Sequence, residues 1–169
     1  GVATKIGSVK VHGLDLIGDD AKPIFRNLDL RKGQIFDHAR YQAEKGEMRQ
    51  RLKTLGYAWA AVEGDVVVDR DHHVADVTLR TDAGAKATVR YVGVQGAYEI
   101  DPRLLIKHSL VRPGALLTPE VLETARARLY NLGFLPAVRV DYRHDAANPD
   151  QADVTLALAE GPANQWRVG

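Results

Sequence analysis

Apolar and polar residues alternate in two matching stretches of this chain. Val9 and Val11 alternate with Ser8, Lys10 and His12, and Val92 and Val94 follow the same pattern before Gly96. A period of two sends successive side chains to opposite faces, so each stretch predicts a half-buried strand, ending at Gly13 or Gly96. A short helix is expected next. Asp101 suits its N-cap and Pro102 its first position, ahead of Leu104, Leu105 and Ile106. In the first stretch Asp19 or Asp20 takes the cap role, with Pro23 early in the helix before Ile24, Phe25 and Leu28.

The period then lengthens. Thr118 and Pro119 open a second helix whose stripe is Leu122, Ala125, Leu129 and Leu132; Asp37 opens the matching helix with Tyr41, Met48, Leu52 and Leu55. Gly46 inside that helix carries a propensity cost of about 1 kcal/mol relative to alanine. Gly56 and Gly133 stand where a left-handed C-terminal cap is wanted. A hairpin closes each stretch. Its first strand is predicted from about Ala58 to Val68, or from Val138 to Arg143. Its turn is Asp69 to His73, or the longer His144 to Gln151 stretch containing Asn148-Pro149-Asp150. The last strand alternates Ala75, Val77 and Leu79 inward against Asp76, Thr78 and Arg80 outward.

That last strand shows the organisation. Ala75-Asp76-Val77-Thr78-Leu79 returns unchanged as Ala152-Asp153-Val154-Thr155-Leu156, and Leu55-Gly56-Tyr57 returns as Leu132-Gly133-Phe134 at the same offset. Gly84 recurs as Gly161, Gly33 as Gly114, and Val9, Val11 and Gly13 as Val92, Val94 and Gly96. The chain therefore reads as a tandem array. The expected fold is α+β: two β-α-α-β-β repeats, 1–84 and 85–169, each a three-stranded mixed sheet covered on one face by two helices. Residues 1–5 read as the tail of a preceding repeat, and 161–169 as the start of an exit toward a missing unit.

Composition narrows the function. Of the 169 residues 45% are hydrophobic and 27% charged, the formal net charge is +1, and there is no cysteine. Disulfides, zinc–thiolate sites and thiol chemistry are thereby excluded. Basic and acidic residues balance in each half, which argues against a nucleic-acid partner. Asp69, Asp71, His72 and His73 resemble metal ligands, but a hairpin turn is polar by default and adjacent histidines diverge in extended chain. His144, Asp145 and Asp150 read as solvated turn residues. No nucleophile elbow, zinc-protease helix or phosphate loop occurs. No catalytic residue, metal or cofactor is expected. Among the aromatic residues, Trp166, Tyr57, Tyr91, Tyr98, Tyr130 and Tyr142 read as core or inter-repeat packing rather than a binding surface, and Trp59 as partly exposed.

The order of elements resembles the POTRA (polypeptide-transport-associated) domain of outer-membrane assembly proteins of the BamA/TamA type. The likeness rests on the opening Val-x-Val-x-Gly, the inter-helix Gly33 and Gly114, the Leu-Gly-aromatic exits at 55–57 and 132–134, and Gly84 and Gly161. The Asp37-to-Lys45 run and Gly56-Tyr57-x-x-Ala60 look TamA-like. This resemblance implies a periplasmic array at the outer membrane, joined to the membrane only through a C-terminal barrel absent from this fragment. It implies that the array receives unfolded outer-membrane or secreted polypeptides and docks a periplasmic or inner-membrane accessory protein. The family's receptive edge is the first hairpin strand, so the candidate binding residues are Gly64, Asp65, Val66, Val67 and Val68, and Val138, Arg139, Val140, Asp141 and Tyr142. Neither stretch contains proline, so main-chain pairing by strand addition is open to both. The outward charges Glu63, Asp65, Arg139, Asp141 and Arg143 equally suit a guard against unwanted pairing. Two alternatives stand beside this reading. One is a KH-like RNA-binding module, which lacks its second loop glycine here. The other is a purely structural scaffold POTRA protein.

Overall fold

The structure is a computed structural model that describes residues 2–96 and 99–159. Tyr98, Gly161, Trp166 and the exit at 161–169 lie outside the described residues. The chain divides into two compact units, Gly1–Gly84 and Ala85–Gly169.

In the first unit, strand β1 (Lys5–His12) leads into a 3-10 segment (Leu14–Asp20) and helix α1 (Ala21–Arg26). Helix α2 (His38–Thr54) and the hairpin β2 (Ala61–Asp69) and β3 (Val74–Asp82) follow. The second unit repeats this with β4 (Thr88–Gln95), α3 (Pro102–Ser109), α4 (Pro119–Tyr130), β5 (Ala137–Asp145) and β6 (Asn148–Ala159). Each sheet is mixed. The hairpin's second strand lies in the middle, parallel to the opening strand and antiparallel to its hairpin partner, in the orders β1-β3-β2 and β4-β6-β5.

The repeated pentapeptide forms these central strands, which explains its hydrophobicity. Ala75, Val77 and Leu79, and Ala152, Val154 and Leu156, are all fully buried. A central strand has neighbours on both sides and helices on one face, so its inward side chains lose all contact with water. In the first unit Val77 and Leu79 meet Ile6, Ile24, Met48 and Leu52 in one core. Ile6 joins that face although three positions precede Val9, because the β1–β3 register shifts between Ile6 and Ser8. An extra residue in a strand reverses the alternation beyond it. The same shift between Val89 and Tyr91 brings Val89 and Val92 inward in the second unit.

Helix starts follow the caps. The Asp37 carboxylate accepts from the Arg40 N–H at 3.1 Å, Asp101 from Arg103 at 2.9 Å, and the Thr118 hydroxyl from Val121 at 3.3 Å. Four expectations are corrected. Asp20 stands at the N-cap of α1 without capping it; its carboxylate instead accepts from the Tyr57 hydroxyl at 2.8 Å. Leu28 and Leu132 lie beyond their helices, which end at Arg26 and Tyr130. Strand β2 begins at Ala61 rather than Ala58, because Gly56, Ala58 and Ala60 are taken up by a run of tight turn hydrogen bonds. The second hairpin turn is short: Asn148 and Pro149 belong to β6, since Asp145 accepts from the Ala147 N–H and the Asn148 amide and reverses the chain at once.

Tyr57 yields a pH prediction. Burial first, then the hydrogen bond to Asp20 and its negative charge, push the Tyr57 phenol up from its ordinary 10.0 to about 12. The fold needs the neutral phenol. Its contribution is therefore intact below about pH 10 and is lost as the pH rises through about 12. Urea midpoints of the first unit are expected to fall between those values. Tyr57→Phe is expected to cost about 1 kcal/mol at neutral pH and to flatten that fall.

Candidate functional site

The two edges of each sheet are not equivalent. Beside β1, the loop between the helices turns back onto the strand. The Ile6 N–H donates to Gln34, the Gly33 N–H to Ile6 and the Phe36 N–H to Thr4, at 2.7–2.9 Å. Beside β4 the same device recurs, with Val89 donating to Ala115, Gly114 to Val89 and Leu117 to Ala87. These edges are closed by the chain's own backbone. Strands β2 and β5 form the opposite edges, and among the described residues each pairs with one strand only. An edge strand turns alternate N–H and C=O groups away from its neighbour, where a second chain can reach them.

On β2, Gly64, Val66 and Val68 stand opposite the inward Leu79, Val77 and Ala75, while Asp65 and Val67 face outward. Asp65 pairs with Arg80 on the neighbouring strand. Val67 is 70% exposed, so this outer face is not uniformly polar. On β5, Val138, Val140 and Tyr142 are half-buried, and Arg139 pairs with Asp141 at 2.7 Å along the strand. All ten candidate residues lie on these two edge strands.

Each edge runs beside the longer helix, and here the units differ. A Cβ at Gly64 would lie 2.5 Å from the Tyr41 hydroxyl, so the ring of a tyrosine from α2 occupies the space that glycine leaves. Tyr41 is buried, with the Lys45 ammonium 4.9 Å from its ring centre. Burial, ahead of the nearby Asp65 charge, raises its phenol above the ordinary value. In the second unit Leu122 and Val140 take the places of Tyr41 and Gly64. Between α4 and β5 they leave an open groove of about 360 Å³, lined also by Pro119, Val138, Glu123 and Arg126. The Arg126 guanidinium meets Glu123 in a two-pronged pair at 2.6 and 2.9 Å, holding that carboxyl below its ordinary range. The helix side of this groove was hidden in the sequence, where Tyr41 and Leu122 read only as core stripe.

The rejected metal cluster has another explanation. Asp69 accepts from the N–H groups of Asp71 and His72 and contacts the His72 ring at 2.7 Å, making a self-contained turn. Those bonds to His72 lower the Asp69 carboxyl. Among the described residues no group of three or more potential ligands could hold a metal ion. No described helix is long and apolar enough to cross a membrane.

Comparison with known proteins follows the same architecture. The POTRA family model, described as surface antigen variable number repeat, matches residues 4–84 and again 87–161. The outer membrane protein assembly factor BamA of Neisseria meningitidis serogroup B is 21% identical over 133 residues, covering 79% of this chain but 17% of BamA. The chain thus spans a minor part of that relative. Haemophilus influenzae BamA POTRA3-5 is similar in structure, with a TM-score of 0.75 at 21% identity over 95% of this chain and 63% of that one. POTRA1-2 of Omp85 from Anabaena gives a TM-score of 0.61 at 13% identity, covering 95% of this chain and 98% of that one. At such identities the structural likeness speaks to fold. The two successive family matches take in most of the chain, which therefore belongs to the POTRA family and carries two of its repeats.

Proposed function

We propose that this chain is the periplasmic, protein-binding part of an outer-membrane β-barrel assembly or translocation protein. It receives unfolded outer-membrane or secreted polypeptides by strand addition, and it acts as a binding module rather than an enzyme. The observation that carries this reading is the asymmetry of the sheet edges. The chain's own loops hydrogen-bond to β1 and β4, while β2 and β5 each pair with one strand only among the described residues. Main-chain hydrogen bonds give affinity with little sequence demand, which suits a receiver of varied unfolded chains. The groove beside β5 adds an apolar seat for alternate side chains of the incoming strand, whereas Tyr41 fills the matching space beside β2. The second unit is therefore the stronger receiver.

The test is chemical-shift mapping with a peptide from an unfolded outer-membrane barrel, a scrambled peptide of equal composition, and a version N-methylated at alternate amides. The first two are expected to shift amides of Val138–Tyr142 more than those of Gly64–Val68, and the methylated peptide to shift neither. Equal shifts with the methylated peptide would exclude main-chain pairing. Shifts from none of the three would favour a scaffold contacting folded partners. Binding of RNA with a steep salt dependence would favour the KH-like alternative.

A further inference from the structure

The helical face of the second unit carries an apolar groove that the strand-addition reading does not use. It lies between α3 and α4 and has a volume of about 530 Å³. Its apolar lining includes Leu104, Leu110, Leu132 and Phe134. Leu104 is 62% exposed, Phe134 51% and Leu110 47%.

The two units differ in helix length and in exposure beside this groove. Helix α2 has 17 residues and α4 has 12. From cap to exit glycine, Asp37 to Gly56 is four residues longer than Thr118 to Gly133, about one helical turn. In the first unit Leu52 near the end of α2 is fully buried, and the following Tyr57 is 7% exposed. In the second unit α4 places its last buried side chain at Leu129, and Phe134, at the position of Tyr57, stands open. The exit aromatic that is buried in one unit is half exposed in the other.

Leu110 adds an independent sign. It closes α3 with a left-handed backbone, φ 63°, a conformation that glycine or asparagine adopts with less strain. The strain is not offset by burial, because nearly half of the side chain faces water at the groove.

Among the described residues, the Lys and Arg side chains lining the groove give it one sign of charge. Lys107, His108, Arg112 and Arg128 line it, with no carboxylate among them. Arg128 is positioned by its Nε–H, which donates to the His108 carbonyl at 2.7 Å. No ion pair engages Lys107, Arg112 or Arg128 among the described residues, although Arg103 and Arg126 nearby are paired. The second unit as a whole is nearly neutral, so this basic cluster is local.

We propose that the α3–α4 groove docks a short amphipathic helix of a partner protein, with apolar residues on one face and Asp or Glu on its flanks. Its apolar face covers Leu104, Leu110 and Phe134, and its carboxylates meet Lys107, Arg112 and Arg128. A helix fits better than an extended chain because both walls are helices. They offer no strand edge, so the incoming backbone must satisfy its own hydrogen bonds.

The probe is a fluorescein-labelled 14-residue helical peptide with Leu at i, i+4 and i+7 and Glu on both flanks. Its control carries Lys in place of every Glu. Against the whole chain, the Glu peptide is expected to bind saturably and to shift amides of α3 and α4. The double substitution Lys107→Glu with Arg112→Glu is expected to weaken it about tenfold or more. Leu110→Gly is expected to weaken it while the thermal midpoint stays level or rises, which separates docking from folding. Equal binding of the Lys peptide would overturn the charge argument. Shifts confined to Val138–Tyr142 would assign the peptide to the strand edge and overturn the groove. Cosedimentation with phosphatidylglycerol vesicles without peptide binding would make the face a lipid contact. A dimer abolished by Leu104→Ser would make it a contact between copies.

Discussion

Gly13→Ala is expected to destabilise the first unit by about 3 kcal/mol or more, a large share of the total for a unit of this size. Gly13 closes β1 with φ 91°, which already strains any residue with a Cβ. A Cβ there would also run into the backbone carbonyl oxygen of Thr81, with the Thr81 hydroxyl 2.9 Å away. Neither neighbour can retreat. Thr81 belongs to the central strand β3, and its hydroxyl donates to the His12 carbonyl at 2.7 Å. Gly96 repeats the arrangement against the Leu158 carbonyl, so Gly96→Ala should do the same to the second unit. Gly33→Ala is the control. Its φ is also positive, but nothing lies within 4 Å of the added carbon, so only the strain of about 1 kcal/mol remains. Hydrogen exchange of the β1 and β3 amides in Gly13→Ala and Gly33→Ala, and of the β4 and β6 amides in Gly96→Ala, reads the difference. Similar losses for Gly13→Ala and Gly33→Ala would remove the steric part of the argument.

Arg51→Met is expected to cost about 3 kcal/mol, more than a surface arginine ordinarily would. Glu44 is 2% exposed on the core stripe of α2, between Tyr41 and Met48. Its carboxylate accepts from the Arg51 guanidinium at 2.7 Å and from the Asp29 N–H at 3.2 Å. Arg51 also reaches Glu47 at 2.8 Å. Without the guanidinium, a buried carboxylate keeps only one backbone donor, and desolvation of that charge is no longer offset. The double variant Glu44→Leu with Arg51→Met removes the charge along with its partner. It should therefore lose only about 1 kcal/mol, chiefly the orphaned Asp29 N–H. Urea unfolding of the single and double variants measures this coupling. A double variant as unstable as the sum of its singles would show that the pair does not act as a unit.

Both sites show what a single sequence reveals and what it hides. Gly13 and Gly96 were legible as strand ends, because a glycine closing an alternation is a local signal. The clash that makes them indispensable involves a carbonyl far along the chain. Glu44 fell in a gap of the α2 stripe and carried no sign of burial, since its partners are a loop amide and a residue two turns away. The helix caps at Asp37, Asp101 and Thr118 were legible for the opposite reason: capping joins residues two or three apart. Asp20 looked like another cap and instead serves Tyr57, a contact between distant segments. The second hairpin turn is shorter than its residues suggest: Asn148, Pro149 and Asp150 have turn chemistry, yet Asn148 already pairs with Asp145 across the turn and opens β6.

By itself the sequence determined the order of strands and helices along the chain and the twofold repetition. Periodicity, caps and turn residues act over a few positions, and duplication is visible as text. Only the tertiary structure decided which sheet edges the chain closes on itself. It decided too that Tyr41 fills the groove beside β2 while Leu122 and Val140 leave the one beside β5 open, and that Phe134 stands open where Tyr57 is buried. Each of these depends on which distant residues meet, and on how much volume they bring to one place.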